Sequence, residues 1–211
     1  MPDLRSENER IRVIYDRRAA TPPSRSGGGS DVRWLGAQAR GDTLEVGIGR
    51  GRTLASYPPG IHLCGIELSP VALEWARRRA RELRLEADLR LGDACNLPYP
   101  AEHFDTVIFS YSLCTIPDDR GAIAEATRVL RPGGRVALVE HVRSPRRLIR
   151  GVERLAEPLT MRRMADHLLR DPLDHLLAEG FDVEYLERRM LGVVERLVAR
   201  KPESNDLAEA V

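Results

Sequence analysis

Three acidic residues stand at the ends of three short β-prone runs, each beside glycine. They are Glu45 in Leu44-Glu45-Val46-Gly47-Ile48-Gly49-Arg50-Gly51, Glu67 in Gly65-Ile66-Glu67-Leu68-Ser69, and Asp93 in Gly92-Asp93-Ala94. Glycine lets a backbone turn tightly and lets a ligand approach the main chain. A helix starting after such a turn aims its free N–H groups and positive end at that ligand. Glu67 follows Gly49 by 18 residues, close to the spacing at which a carboxylate grips the ribose of a nucleoside. Its two oxygens can accept from both vicinal hydroxyls. Asp93 is placed to accept the exocyclic amine of an adenine, with the Ala94 N–H near a ring nitrogen. Each residue also has a plainer reading: a glycine-rich packing turn, a solvated strand-end glutamate, a turn aspartate.

Two cofactors compete for this pattern. A dinucleotide loop reads Gly-x-Gly-x-x-Gly, its third glycine allowing close helix packing. Here Gly51 comes one residue early and Arg52 holds the dinucleotide position. Glu45, two residues before Gly47, repels a pyrophosphate but suits a cationic ligand end. S-adenosylmethionine offers an ammonium, a sulfonium, a ribose diol and an adenine amine, and Glu45, Glu67 and Asp93 match that set better. The expected cofactor residues are therefore Glu45, Gly47, Gly49, Gly51, Glu67, Leu68, Asp93, Ala94 and Ser110, with S-adenosylhomocysteine as the product. A nicotinamide-dependent oxidoreductase is the alternative of a different class, and a non-catalytic binding module another.

Methyl transfer is an in-line displacement at a carbon already activated by the sulfonium. Proximity and orientation supply ~7–11 kcal/mol of such a barrier. A general base adds ~10²–10⁴-fold where the nucleophile carries a proton. His141, after the run Arg135–Val139, is the first candidate base, and Tyr111, after Phe104–Ser110, lines the same expected pocket. Both also read as packing residues. His167 and His175 fall on helical stretches as surface residues, and His62 and His103 receive no role. Cys64, Cys95 and Cys114 are odd in number and lack metal-type spacing, so they read as reduced thiols in a cytoplasmic protein, with no metal expected. This displacement needs no covalent enzyme intermediate, so Cys114 is not required as a nucleophile.

The elements that must position these residues alternate. β-prone runs fall at Thr43–Val46, Ile61–Ile66, Asp88–Leu91, Phe104–Ser110 and Arg135–Val139. Between them, Ser69–Leu85 and Asp118–Leu130 carry apolar residues at helical spacing, the former with Ser69 as N-cap and Pro70 at its first position. Alternation of this kind means βαβ units and a doubly wound, mainly parallel α/β sheet with helices on both faces. Such sheets bind ligands outside the carboxyl ends of their strands, where the strand order reverses. A helical N-terminal cap over 1–40, with a flexible loop at 21–30, precedes the main domain at 41–201. Gly180 stops a helix begun at Asp171-Pro172. Phe181–Leu186 and Val193–Ala199 read as an antiparallel pair at the sheet edge, and 202–211 as a frayed tail.

The chain has 211 residues with 33 basic and 32 acidic side chains, net charge +1. That length hides roughly 70% of the unfolded surface on folding, enough for one large core. Balanced charge argues against a nucleic-acid partner. No apolar run reaches the ~20 residues of a membrane span, and the first residues carry no signal-peptide pattern. The arginine-rich insertion at about 143–170 has three readings: a solvated cap paired with the abundant acids, a holder of an acidic substrate, or an amphipathic helix in peripheral contact with a membrane through 143–163. Oligomeric state and the acceptor atom leave no mark in the sequence.

From Thr43 to His141 the chain resembles the class I S-adenosylmethionine-dependent methyltransferases. The resemblance rests on the three strand-end segments above, on Phe104-Asp105-Thr106-Val107, and on Val129-Leu130-Arg131-Pro132-Gly133-Gly134. It leans towards the quinone-biosynthesis-type and small-molecule enzymes. Tyr57-Pro58-Pro59-Gly60, Leu113-Cys114 and Glu140-His141 also look like a branch that includes alkyl-thiol methyltransferases. The resemblance implies a seven-stranded Rossmann-like sheet with the last strand antiparallel. It also implies that the glycine loop cradles the methionine part, Glu67 takes the ribose, Asp93 takes the adenine, and Tyr15 closes over the cofactor. A membrane-surface phospholipid or quinone methyltransferase is the same-fold alternative. Many relatives carry histidine where this chain has Cys114, so a histidine-dependent role at that position does not carry over.

Overall fold

The computed structural model describes residues 4–21 and 29–203. Seven strands form one sheet: β1 (Asp42–Val46), β2 (His62–Glu67), β3 (Ala87–Leu91), β4 (Phe104–Ser110), β5 (Leu130–His141), β6 (Asp182–Arg189) and β7 (Val194–Arg200). Their order is β3-β2-β1-β4-β5-β7-β6. β1 to β5 pair in parallel, and β7 runs antiparallel to both β5 and β6. The order reverses between β1 and β4, so the carboxyl ends of those two strands open the crevice in which such sheets bind ligands.

The central strands are buried on both faces, as parallel strands are when helices cover them. In β4, Val107 and Phe109 pack with Ile123, Leu130, Leu138 and Leu176 on one face. Ile108 between them packs with Leu35, Ala137 and Val139 on the other. Helices α1 (Leu4–Ala19), α2 (Ser30–Gly36), α3 (Pro70–Leu83), α4 (Asp119–Val129), α5 (Arg147–Met164) and α6 (Pro172–Ala178) surround the sheet. Ser69 caps α3 as its position suggests: its Oγ accepts the Ala72 N–H at 3.0 Å, and Pro70 follows. Ala72, Leu73, Ala76 and Ala80 form the buried face of that helix. Asp118 caps α4 through the Gly121 N–H at 2.9 Å.

Several boundaries differ from the sequence reading. β5 begins five residues early, because Pro132-Gly133-Gly134 does not break it: Leu130 pairs with Phe104 across a register shift, and Gly133 absorbs the irregularity at φ +72°. The antiparallel pair is present, but β7 is inserted between β5 and β6, leaving only β6 at the edge. The insertion holds one helix, α5, shorter than 143–170. Residues 22–28 of the expected flexible loop, and 204–211 of the expected tail, lie outside the described residues.

Gly47, Gly49 and Gly51, after β1, all have positive φ. Gly51 is a packing glycine: a Cβ there would meet Leu54 Cδ1 at 2.5 Å and the Ala76 backbone at 3.2 Å. Gly51→Ala is expected to cost about 2–4 kcal/mol from left-handed strain and overpacking, read as a lowered midpoint of urea unfolding.

Candidate cofactor and acceptor site

A cavity of about 240 Å³ opens at the β1/β4 crevice. Of the residues the sequence put forward, Tyr15, Glu45, Gly47, Gly49, Glu67, Leu68, Asp93, Ala94, Ser110 and Tyr111 line it. The three acids therefore face one space. Gly51 does not line it, because it packs against α3. His141 does not line it either; its ring lies against that of Tyr111, 5.0 Å between centroids.

Glu67 holds the floor. It is 6% exposed, and its carboxylate accepts the Gly49 N–H and the Ser69 N–H, each at 2.8 Å. One acid thus ties the glycine loop to the start of α3. Each carboxylate oxygen retains a further lone pair for a ligand hydroxyl. A Cβ on Gly49 would meet nothing nearer than a carbonyl at 4.0 Å, so this loop leaves bare backbone against the cavity.

Glu45 is buried at 1% exposure and accepts the hydroxyls of Thr53, at 2.6 and 2.7 Å, and of Tyr57, at 2.8 Å. Burial, opposed by those hydroxyls and aided by the nearby Glu67 charge, pushes its pKa up to about 7. Asp93 Oδ1 accepts the Cys95 N–H at 2.9 Å, and its Oδ2 accepts Asn8 Nδ2 of α1 at 2.7 Å. Asn8 occupies the acceptor oxygen that an adenine amine would share.

α1 forms the roof. Tyr15 faces the cavity, and burial pushes its phenol up to about 12. Asp16 accepts Ser69 Oγ at 2.5 Å, and Trp75 Nε1 donates to the Ala19 carbonyl at 2.9 Å. Arg12, Arg18, Arg50 and Arg52 also line the cavity, Arg12 paired with Glu9 and Asp16. The acceptor-side wall is the loop after β4. Buried Glu140 accepts the N–H groups of Ser112, Leu113 and Cys114 at 2.7, 3.0 and 3.3 Å. Arg170 holds the far side through the carbonyls of Leu113, Ile116 and Pro117. Tyr111 donates to Asp31 at 3.3 Å; burial, with that neighbouring acid, pushes its phenol up to about 12.

Sequence reasoning missed the cavity arginines, Asn8, the Glu140 anchor and Asp166, which faces His141 Nδ1 at 3.2 Å. Only Glu140 left a trace, as the neighbour of His141 at a strand end. Asp166 lies 25 residues beyond His141, inside the arginine-rich stretch, and no local pattern marks it.

Comparison with known proteins agrees with this geometry. Residues 44–138 match the methyltransferase domain family. A phosphatidylethanolamine N-methyltransferase of Cereibacter sphaeroides is 38% identical over 103 residues, covering 48% of this chain and 51% of that one. A demethylmenaquinone methyltransferase of Tropheryma whipplei is 33% identical over 144 residues, covering 66% and 58%. The chain thus spans only about half the length of these curated relatives. Among solved structures, a putative methyltransferase of Bacillus halodurans has a TM-score of 0.70 at 20% identity, covering 82% of this chain and 100% of that one. The [4+2]-cyclase SpnF reaches 0.70 at 21% identity, covering 95% and 96%. At that identity these two show the fold alone.

The match to the methyltransferase domain family covers residues 44–138, and the strand order and cavity are those that the class I S-adenosylmethionine-dependent methyltransferase resemblance implies. The cavity fits the cofactor that this class implies: buried Glu67 with lone pairs to spare, bare backbone at Gly49, and Glu45 for an ammonium.

The site carries its own pH dependence. Glu45 is raised, so below about pH 7 it holds a proton that a bound ammonium would expel. Affinity for S-adenosylmethionine is expected to rise with pH towards 7, by at most about tenfold per unit, and then to level off. Calorimetry in buffers of different ionisation enthalpy reads the released proton, and Glu45→Gln is expected to remove the slope.

Proposed function

We propose that this protein transfers the methyl group of S-adenosylmethionine to a small-molecule acceptor by in-line displacement. The observation that carries this reading is the convergence of Glu45, Glu67, Asp93 and the open Gly49 backbone on one cavity at the strand-order reversal. Glu67 takes the ribose, Asp93 the adenine, and Gly47, Gly49, Leu68, Ala94 and Ser110 complete the cofactor wall. Tyr15 closes from above. Tyr111 bounds the acceptor side, with His141 packed behind it. The chain's main contribution is alignment, with water kept out by α1 and the pinned loop after β4.

Binding calorimetry with S-adenosylmethionine and S-adenosylhomocysteine tests the reading. Glu67→Gln is expected to weaken either ligand by about 1.5–3 kcal/mol, the loss of charge-assisted hydrogen bonds. A folded variant with unchanged affinity would overturn the ribose assignment. Incubation with a labelled methyl donor and cell extract then identifies the acceptor.

One observation favours a second reading, in which the acceptor is drawn from a membrane surface. On α5, Leu148, Val152, Leu155 and Leu159 are 87%, 64%, 84% and 52% exposed, and their spacing of four, three and four places them on one outward stripe. Glu153 is buried, and accepts the Ser144 N–H. Among the described residues, Arg146, Arg147, Arg150 and Arg154 have no ion-pair partner, whereas Arg143 pairs with Asp171 and Asp174 and Arg170 with Asp119, as an acid-paired cap expects. An apolar stripe rimmed by free arginines suits an anionic lipid surface. The phosphatidylethanolamine and demethylmenaquinone methyltransferases among its relatives support an acceptor of this kind. Among the described residues no helix is long and apolar enough to cross a membrane. Co-sedimentation with phosphatidylglycerol vesicles is expected, with loss in a variant combining Arg146→Glu, Arg147→Glu and Arg150→Glu. Solubility unaltered by lipid would remove this reading.

A further inference from the structure

Behind the acceptor-side wall, three elements distant in sequence bring together a thiol, an imidazole and a carboxylate. Cys114 lies in the loop after β4, His141 ends β5, and Asp166 follows α5. One ligand atom from each lies within 4.8 Å of the other two. Cys114 is 2% exposed and Asp166 9%. We infer that Cys114, His141 and Asp166 form a binding site for a zinc-type divalent cation. The site does not depend on the proposed methyl transfer.

Unmet bonding in the cluster carries the inference. His141 Nδ1 stands 3.2 Å from Asp166 Oδ2, yet Nδ1 and Asp166 Oδ1 are buried without a hydrogen-bond partner. Buried polar atoms are nearly always paired, and each exception calls for a cause. His141 and Asp166 meet as an ion pair that falls short of hydrogen-bond geometry, and Asp166 Oδ1 is left over; a thiol, an imidazole and a carboxylate gathered in this way are arranged as ligands of a common centre are. A tetrahedral ion with ligands at ~2.0–2.3 Å holds its donors roughly 3.3–3.7 Å apart. The His141–Asp166 spacing is already that small, and Cys114 needs to close by about 1 Å at most.

Charge points the same way. Glu140, wholly buried, sends one oxygen to the Cys114 N–H, so two carboxylates flank one thiol in the interior. The His141 imidazole pairs with Asp166, and Arg18 also acts on that acid. A divalent ion would balance the excess. The donor chemistry selects the ion: a thiol with an imidazole suits zinc and its soft neighbours, whereas magnesium and calcium take oxygen shells. Binding replaces the S–H bond by an S–metal bond and releases that proton to solvent, and His141 binds as the neutral imidazole. Three protein ligands leave a fourth position, the arrangement of zinc sites that admit an exogenous ligand. A water or another exogenous ligand would take that position, reached past the His141 side chain, which is 37% exposed.

The test uses the full chain, stripped with chelator and titrated with Zn²⁺ or Co²⁺ alone. The expected result is one ion per chain at micromolar free metal, with a thiolate-to-cobalt charge-transfer band in the near ultraviolet. Cys114→Ser is expected to abolish the band, and Asp166→Asn to weaken zinc tenfold or more. Cys95→Ser, distant from the cluster, is expected to change neither. The wild-type spectrum alone decides the matter should Cys114→Ser fail to fold. No retained zinc, a cobalt complex without the sulfur band, or equal affinity in Asp166→Asn would overturn the assignment. None of these readouts involves S-adenosylmethionine, so failure here leaves the methyltransferase reading untouched.

Discussion

The Glu67 carboxylate is the interaction from which the architecture of the crevice follows. Both its oxygens take backbone N–H groups, one from the glycine loop and one from the first turn beyond β2. Without it, the buried Ser69 amide loses its acceptor at a desolvation cost, and the Gly49 amide is left facing the cavity. With it, the loop after β1 and the start of α3 are held at a fixed separation, and the carboxylate itself forms part of the cavity floor. Structure and ligand contact therefore share one group. Glu140 repeats the device on the other side of the crevice, where a single buried acid gathers three consecutive N–H groups after β4. Two buried carboxylates, one on each side of the strand-order reversal, set the width between the walls.

The fold was legible in the sequence where a local rule operates. Ser69-Pro70 marked a helix start because a cap and a preset φ act within a few residues. The apolar runs at Thr43–Val46 and Phe104–Ser110 marked central strands because burial on both faces removes polar alternation. β5 was read too short, because Pro132-Gly133-Gly134 normally ends a strand, whereas here a register shift carries the pairing past it. The insertion of β7 inside β6 was not readable, because hairpin connectivity does not say which strand meets the rest of the sheet.

The site divides in the same way. Glu45, Glu67, Asp93, Gly47 and Gly49 could be found because each strand delivers its last residues to the same end of the sheet. Gly51 looked identical to its neighbours in the motif, and only three-dimensional packing against Leu54 and Ala76 separates it from them. His141 was correctly placed at a strand end, but which side of Tyr111 it occupies depends on rotamers. Asp166 and Cys114 meet it across 25 and 27 residues, with no shared period, so spacing rules for metal ligands had nothing to detect.

The roof has a consequence for traffic through the crevice. Among its residues α1 buries Ile11 and Ala19, and polar ties that include Asn8, Arg10, Asp16 and the Ala19 carbonyl hold it to its neighbours. Segments with so little apolar anchorage detach at a free energy far below that of the sheet they cover. Asn8 sits on the aspartate oxygen proposed for the adenine amine, so an arriving nucleoside would have to take over that tie. Loading and unlatching would then be one exchange of partners at Asp93, and the helix above the crevice would set how readily the cavity opens.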